Sequence, residues 1–289
     1  LTLDGTTYTS TGAQTYEAAT GQNIDITNTS GTTFTSTNTA IAFNTSGVDL
    51  ANDGTTTINT GTGAGTVTFQ GAIETDGGND DILTVTSGTG NVTFTGALGA
   101  TNKLSSIAIN SSSGSGAITL SGNIGDGDSD GVNSTATFGN TSTSTVTLAG
   151  TIYKTNHVTT YRTSSGNNIL ITGGDVLISS GHNLRFHTGN VVLSTDGTTT
   201  INTSNREIRF DGTIEGTASQ AENLVLESGS GSVKLFGAIG GTNPITDLTI
   251  NSSGTGAISI TQIGDADDVG GIVGTTAIGN SSTAGITFD

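Results

Sequence analysis

The octapeptide Asp53-Gly54-Thr55-Thr56-Thr57-Ile58-Asn59-Thr60 recurs letter for letter at 196–203. It belongs to a larger duplication. Shifting the chain along itself by about 145 residues places Tyr8 on Tyr153, Thr15-Tyr16 on Thr160-Tyr161, and Ile24 and Ile26 on Ile169 and Ile171. The offset slips to 143 at the octapeptide and to 141 where Phe69, Gly71 and Ile73 meet Phe210, Gly212 and Ile214. Slips of this size are what loop insertions produce. Two copies result, 1–145 and 146–285. Ile286-Thr287-Phe288-Asp289 then restarts the pattern of Leu1-Thr2-Leu3-Asp4, as the opening of a third copy (286–289) in a longer array would.

A finer period lies inside each copy. V-T-F occurs at 67–69 and 92–94, I-T-L at 118–120 and V-T-L at 146–148. Alternation of apolar and polar residues marks a strand with one buried face. The runs are short and bounded by Gly, Asn, Asp and Ser, which form turns. No segment combines a sustained helical period with helix caps.

Composition narrows the fold further. The 289 residues include 45 Gly and one Pro, and only 31% are hydrophobic. That is too little apolar material for a thick globular core. A solenoid needs only a thin inward line of side chains, because neighbouring coils cover one another and pair the backbone. The fold expected is all-β, a β-solenoid (parallel β-helix) of about 12 coils and on the order of 55–60 Å long. Tandem β-sandwich repeats are the alternative. At about six coils, one copy should occupy roughly 29 Å of the axis.

The formal net charge is −17, from 24 acidic and 7 basic residues. Without a basic stripe, a nucleic-acid partner is not expected. Six of the basic residues, Lys154, Arg162, Arg185, Arg206, Arg209 and Lys234, fall in the second copy, and only Lys103 in the first. Cysteine is absent, so neither disulfides nor thiol chemistry arise. No apolar run reaches membrane-spanning length, so membrane insertion is not expected. No signal peptide opens the chain, as befits a segment from the middle of a larger protein.

Several stretches resemble the filamentous-haemagglutinin-like adhesins and related giant β-strand-repeat surface proteins of bacteria. Thr11-Gly12-Ala13-Gln14-Thr15-Tyr16 is similar to their TGAQTY element. Val92 to Gly99 and Val233 to Gly240 are similar to their VTF-x-G-A-[IL]-G element. Leu104 to Asn110 and Ile245 to Asn251 resemble the segment that follows it. The second copy has His157-Val158-Thr159-Thr160 in place of the TGAQT lead-in. The resemblance implies an extracellular, cell-surface stalk or filament, often adhesive. Unpaired strand edges at the two ends make copies of the chain itself, joined end to end, the expected partners, with a glycan or host surface as the further partner of an adhesive stalk.

The sequence offers few chemical sites. No Ser sits in a G-x-S-x-G turn between a strand and a helix, and Glu74, Asp76, Asp80 and Asp81 read as a solvated loop; no enzyme is expected. His182 and His187, five apart in a strand, should point to opposite faces and make a poor metal pair. Tyr8, Tyr16, Tyr153 and Tyr161 form two matched pairs, expected to fill corners of the coil, with a carbohydrate platform as the other reading. Asn59, Asn110, Asn202 and Asn251 each follow Ile at a strand end, where stacked Asn ladders could form. Asp126, Asp128 and Asp130 read D-x-D-x-D-G, with Asp265, Asp267 and Asp268 as counterparts in the second copy. Closely spaced carboxylates on a Gly turn suit a partial, surface Ca2+ site, completed by backbone carbonyls or water. The stretch 154–190 is the most divergent from its counterpart, 9–45, as a ligand-binding region would be.

Overall fold

The computed structural model describes residues 1–44, 46–51, 53–78, 81–126, 131–219, 221–265 and 270–289. Among them there is no helix, and every strand pairing between turns is parallel. The chain winds as a β-solenoid of about 11 turns, close to the expected 12. Tandem sandwiches are excluded, because their sheets are antiparallel.

The turns place their strands on three faces, with single bridge residues, Leu98 and Ile124, standing for a strand on the first face of two turns. On the first face the inward ladder runs from Ile24 through Val48, Ile73, Leu98, Ile124 and Tyr153 to Ile278. On the second it begins Tyr8, Phe34, Ile58, Val85 and reaches Phe186, Phe210 and Phe288. On the third it includes Tyr16, Phe43, Phe69 and Phe94. Paired residues are 22 (Asn168 to Asn190) to 29 (Ile107 to Ala136) positions apart, so the turns vary in length while the ladders stay unbroken.

The inward columns form the core. Phe34, Ile58, Phe69, Phe186 and Phe210 are all essentially inaccessible. Burying each such side chain contributes roughly 1.5–3 kcal/mol. Rings on successive turns stack: Phe43 on Phe69 at 4.8 Å between centroids, Phe69 on Phe94 at 5.1 Å, and Phe186 on Phe210 at 4.5 Å. Thr is the commonest residue at the outward positions of the strands. This is why a low apolar content suffices.

The two octapeptides answer the question their identity raises. Thr56, Ile58 and Thr60 are buried in the first, as are Thr199, Ile201 and Thr203 in the second. Yet the first (strand Thr55–Asn59) lies on the second face, and the second (strand Gly197–Thr203) lies on the first face. The whole duplication follows this rule. Phe69 is on the third face and Phe210 on the second, while Tyr8 is on the second and Tyr153 on the first. From Leu3 to Leu148 there are fifteen strand-to-strand steps and the two bridge positions Leu98 and Ile124, hence seventeen. Seventeen is five turns and two sides. The second copy therefore repeats the first turned back by one face.

Corners are held by specific polar brackets. Asn110 and Asn251 have φ of 48° and 47°. That left-handed conformation is one Asn tolerates better than most side chains. Each side-chain oxygen accepts the backbone N–H of a Ser on the preceding turn, Ser87 at 2.9 Å and Ser228 at 2.7 Å, and each amide nitrogen donates to the same Ser hydroxyl. Asn140 and Asn280 continue these brackets by donating to the carbonyls of Asn110 and Asn251. Asn59 and Asn202 instead remain in extended strands with exposed side chains, so the four-residue Asn ladder is not formed. Only the two at left-handed corners can reach back to the preceding turn.

The tyrosines divide by position. Tyr153 and Tyr161 are buried and cannot present a face to a sugar. Tyr153 accepts the N–H of Gly150 at 2.7 Å and donates to the carbonyl of Leu120 at 3.0 Å. Burial raises the pKa of both hydroxyls. Tyr16 donates to Gln14 at 2.6 Å, and burial and its neighbour Tyr8 push its pKa up to about 12. Thr159 stands where the first copy has Gln14, and it is too short to offer the same acceptor. The Tyr161 hydroxyl is accordingly left without a hydrogen-bond partner.

The acidic stretch at 74–81 is not a solvated loop throughout. Glu74 lies in the strand Ala72–Thr75, and its carboxylate accepts the backbone N–H groups of Ala100, Thr101 and Asn102 on the next turn. Glu215, its counterpart, does the same for Thr242 and Asn243. Asp81 is buried, and Asp80 lies outside the described residues.

Candidate functional site

The outward side of the second face changes character between copies. Thr160, Arg185, Arg209 and Lys234 are rung partners on successive turns. Their counterparts in the first copy, on the third face, are Thr15, Ala42, Thr68 and Thr93. The scaffold accepts small neutral residues there, so packing does not require three adjacent cations.

One carboxylate organises the cluster. Asp211 Oδ2 accepts from Arg185 Nε at 2.9 Å and Nη2 at 2.7 Å, Oδ1 accepts from Arg209 Nε at 2.5 Å, and His187 Nδ1 also bonds to Oδ2. Burial by itself would raise the Asp211 pKa. The hydrogen bonds from His187, Arg209 and Arg185 outweigh that, and hold it at about 2. Lys234 Nζ pairs with Glu207 at 2.5 Å. The Arg209 guanidinium lies 4.6 Å above the ring of Phe236, which is 44% exposed. Counting Arg162 on the neighbouring turn, four cations share this area with two carboxylates. It is a basic and aromatic patch on a strongly acidic rod.

The Asp211 arrangement has a pH signature. Its folded pKa lies below the ordinary carboxylate value, so its stabilising contribution is present above about pH 4 and is lost as pH falls from about 4 to about 2. Asp211→Asn should lower stability by about 1.5–3 kcal/mol at neutral pH. The gap from the unsubstituted chain should close on acidification to about pH 2. Chemical denaturation of both proteins between pH 7 and 2 measures this, and a gap that stays constant with pH would refute it.

His182 lies before the strand Leu184–His187, not in it, and the two histidines have separate partners. His182 stacks on His157 one turn away, at 4.8 Å between rings, and His187 joins Asp211. Desolvation, Arg206 and His157 lower the His182 pKa. Among the described residues, no three of His, Asp and Glu converge as a metal-binding group. Of the Ca2+ candidates, Asp126 and Asp265 are described. Asp128, Asp130, Asp267 and Asp268 lie outside the described residues. A groove of about 390 Å3 runs along one corner past Asn59, Thr86, Thr89, Ser113 and Ser115, with no titratable side chain among its lining residues.

Sequence reading noted the uneven basic residues but missed their alignment. Arg185, Arg209 and Lys234 are separated by 24 and 25 residues, which is the length of a turn. That spacing was the available signal.

No protein-family model, curated protein or solved structure gave a significant match to the chain. Among the described residues, no helix is long and apolar enough to cross a membrane.

Proposed function

We propose that this chain is a structural repeat segment of an extracellular bacterial surface filament or adhesin stalk. The observation that carries this reading is the continuity of the inward ladders across both copies. Each turn covers the next, so length can grow by adding copies without a new core. The acidic surface keeps such a rod soluble, and the resemblance to bacterial surface-repeat proteins points the same way.

The test is electron microscopy of cells of the source organism, labelled with an antibody against the chain. Intact cells should label on thin external fibres. Label that appears only after permeabilisation would overturn the reading. The one-face rotation adds a dimension to the same images. Tandem copies should superimpose without rotation only after three copies, or seventeen turns, about 80 Å along the axis. Successive copies, about 27 Å apart, should be turned by one face. An unrotated repeat every copy would contradict this.

A second reading is a glycan- or receptor-binding adhesin module. It is favoured by the basic and aromatic patch, which only the second copy carries, beside the most divergent stretch of sequence. Glycan-array binding that is lost on replacing Arg185 and Arg209 would support it over a purely structural role.

A further inference from the structure

The basic ladder has a counterpart of opposite sign on the same rod. Asp25, Asp49 and Glu74 are rung partners on three successive turns of the first face, all pointing outward. Both ladders carry one charge per turn over three turns, so both share the spacing of parallel strands, about 4.8 Å. Within one chain they cannot meet. They lie on different faces, six turns apart along the axis, which is about 29 Å.

We propose that the two ladders form a lateral contact between copies of this chain. The acidic ladder Asp25–Asp49–Glu74 of one rod would lie against the basic ladder Arg185–Arg209–Lys234 of another. Matched rung spacing brings all three pairs into register at once when the rods lie side by side. Because the two surfaces differ, the contact is heterologous. One rod of a pair keeps its basic ladder free and the other its acidic ladder, so association continues into staggered bundles. The first copy's Ala42, Thr68 and Thr93 explain why the contact has one register, since the equivalent positions there carry no charge. Asp211 and Glu207 offset part of the basic ladder, and on the acidic side Glu74 already accepts three backbone N–H groups and Asp49 the Asn23 amide, so the attraction is that of a few partly engaged pairs. The contact should therefore be weak and salt-sensitive. This proposal does not depend on where the rod is deployed.

Sedimentation of the full chain tests it. At about 0.1 M salt, where repulsion between distant charges is screened, the weight-average mass should rise with concentration beyond that of the monomer. At about 1 M salt it should fall back to the monomer. Arg185→Ala, Arg209→Thr and Lys234→Thr together, which install the first copy's residues, should weaken association at least tenfold. Replacing Lys103, Lys154 and Arg206 by Thr removes the same number of charges elsewhere and should leave a larger share of the association intact. Asp25→Lys with Asp49→Lys makes the chain less negative, yet should abolish self-association, because two of the three rungs facing the basic ladder then carry its own sign. Mixing that variant with one carrying Arg185→Glu, Arg209→Glu and Lys234→Glu should restore it. Circular dichroism checks that each variant keeps its strands. A wild-type chain that stays monomeric, or an Asp25→Lys/Asp49→Lys variant that associates as well as wild type, would overturn the proposal.

Discussion

Replacing Phe186 by Ala is expected to destabilise the chain by about 3–5 kcal/mol. Phe186 is inaccessible to solvent and sits between Tyr161, 5.4 Å away, and Phe210, 4.5 Å away. Truncation removes both ring contacts and leaves a cavity that rigid coils above and below cannot fill, because ladder hydrogen bonds fix their separation. The damage should also change the form of unfolding. A solenoid's stability is a sum over coils and the interfaces between them. A hole at one interface should therefore broaden or split the denaturation curve. Phe288→Ala is the control, because Phe288 is 64% exposed and covers little. It should shift stability by less than about 0.5 kcal/mol. Urea unfolding followed by circular dichroism reads both variants. Equal effects would mean that the stacked column is not the core.

Adding a single methyl group at Gly116 should cost about 3 kcal/mol or more, at the upper end of overpacking effects. A Cβ there would lie 1.7 Å from the carbonyl oxygen of Gly90 on the preceding turn. Gly256, the equivalent residue of the second copy, would place one 1.5 Å from the carbonyl oxygen of Gly231. The obstruction is backbone, which cannot rotate away as a side chain would. Either the two turns separate and lose ladder hydrogen bonds, or the corner reshapes. Gly12→Ala supplies the contrast, since the nearest atom to a Cβ there is Ser10 Oγ at 3.7 Å. Restricting the unfolded chain should make that change neutral or stabilising by up to about 1 kcal/mol. Thermal melts of the two single variants decide the matter. A Gly116→Ala chain that melts with the wild type would show that adjacent turns do not approach this closely.

Both predictions act on features whose residue types are plain in the sequence and whose partners are not. Period-2 alternation identified which residues of V-T-F or D-G-T-T-T-I-N-T point inward, and their burial follows it. Duplicated segments with few apolar residues implied a stacked architecture, because only neighbour-covering coils can make so thin a core. Turn residues identified the corners. These are local or composition-level properties, legible without knowing any contact between turns.

What only the tertiary structure decided is which turn lies on which, and so what lines up along the outside. Turn length varies between 22 and 29 residues, and the chain has no local reason to declare its register. Register emerges from the whole stack, where one coil's inward side chains must meet the next coil's. That choice put the second copy one face away from the first. It brought Arg185, His187 and Arg209 to a single carboxylate, stacked His157 on His182, and gave Glu74 the N–H groups of a loop on the next turn. Matching sequence in the two copies fixed the same strand and the same burial. The face of the rod was set by the number of sides the chain passes between them, seventeen, which is not a multiple of three.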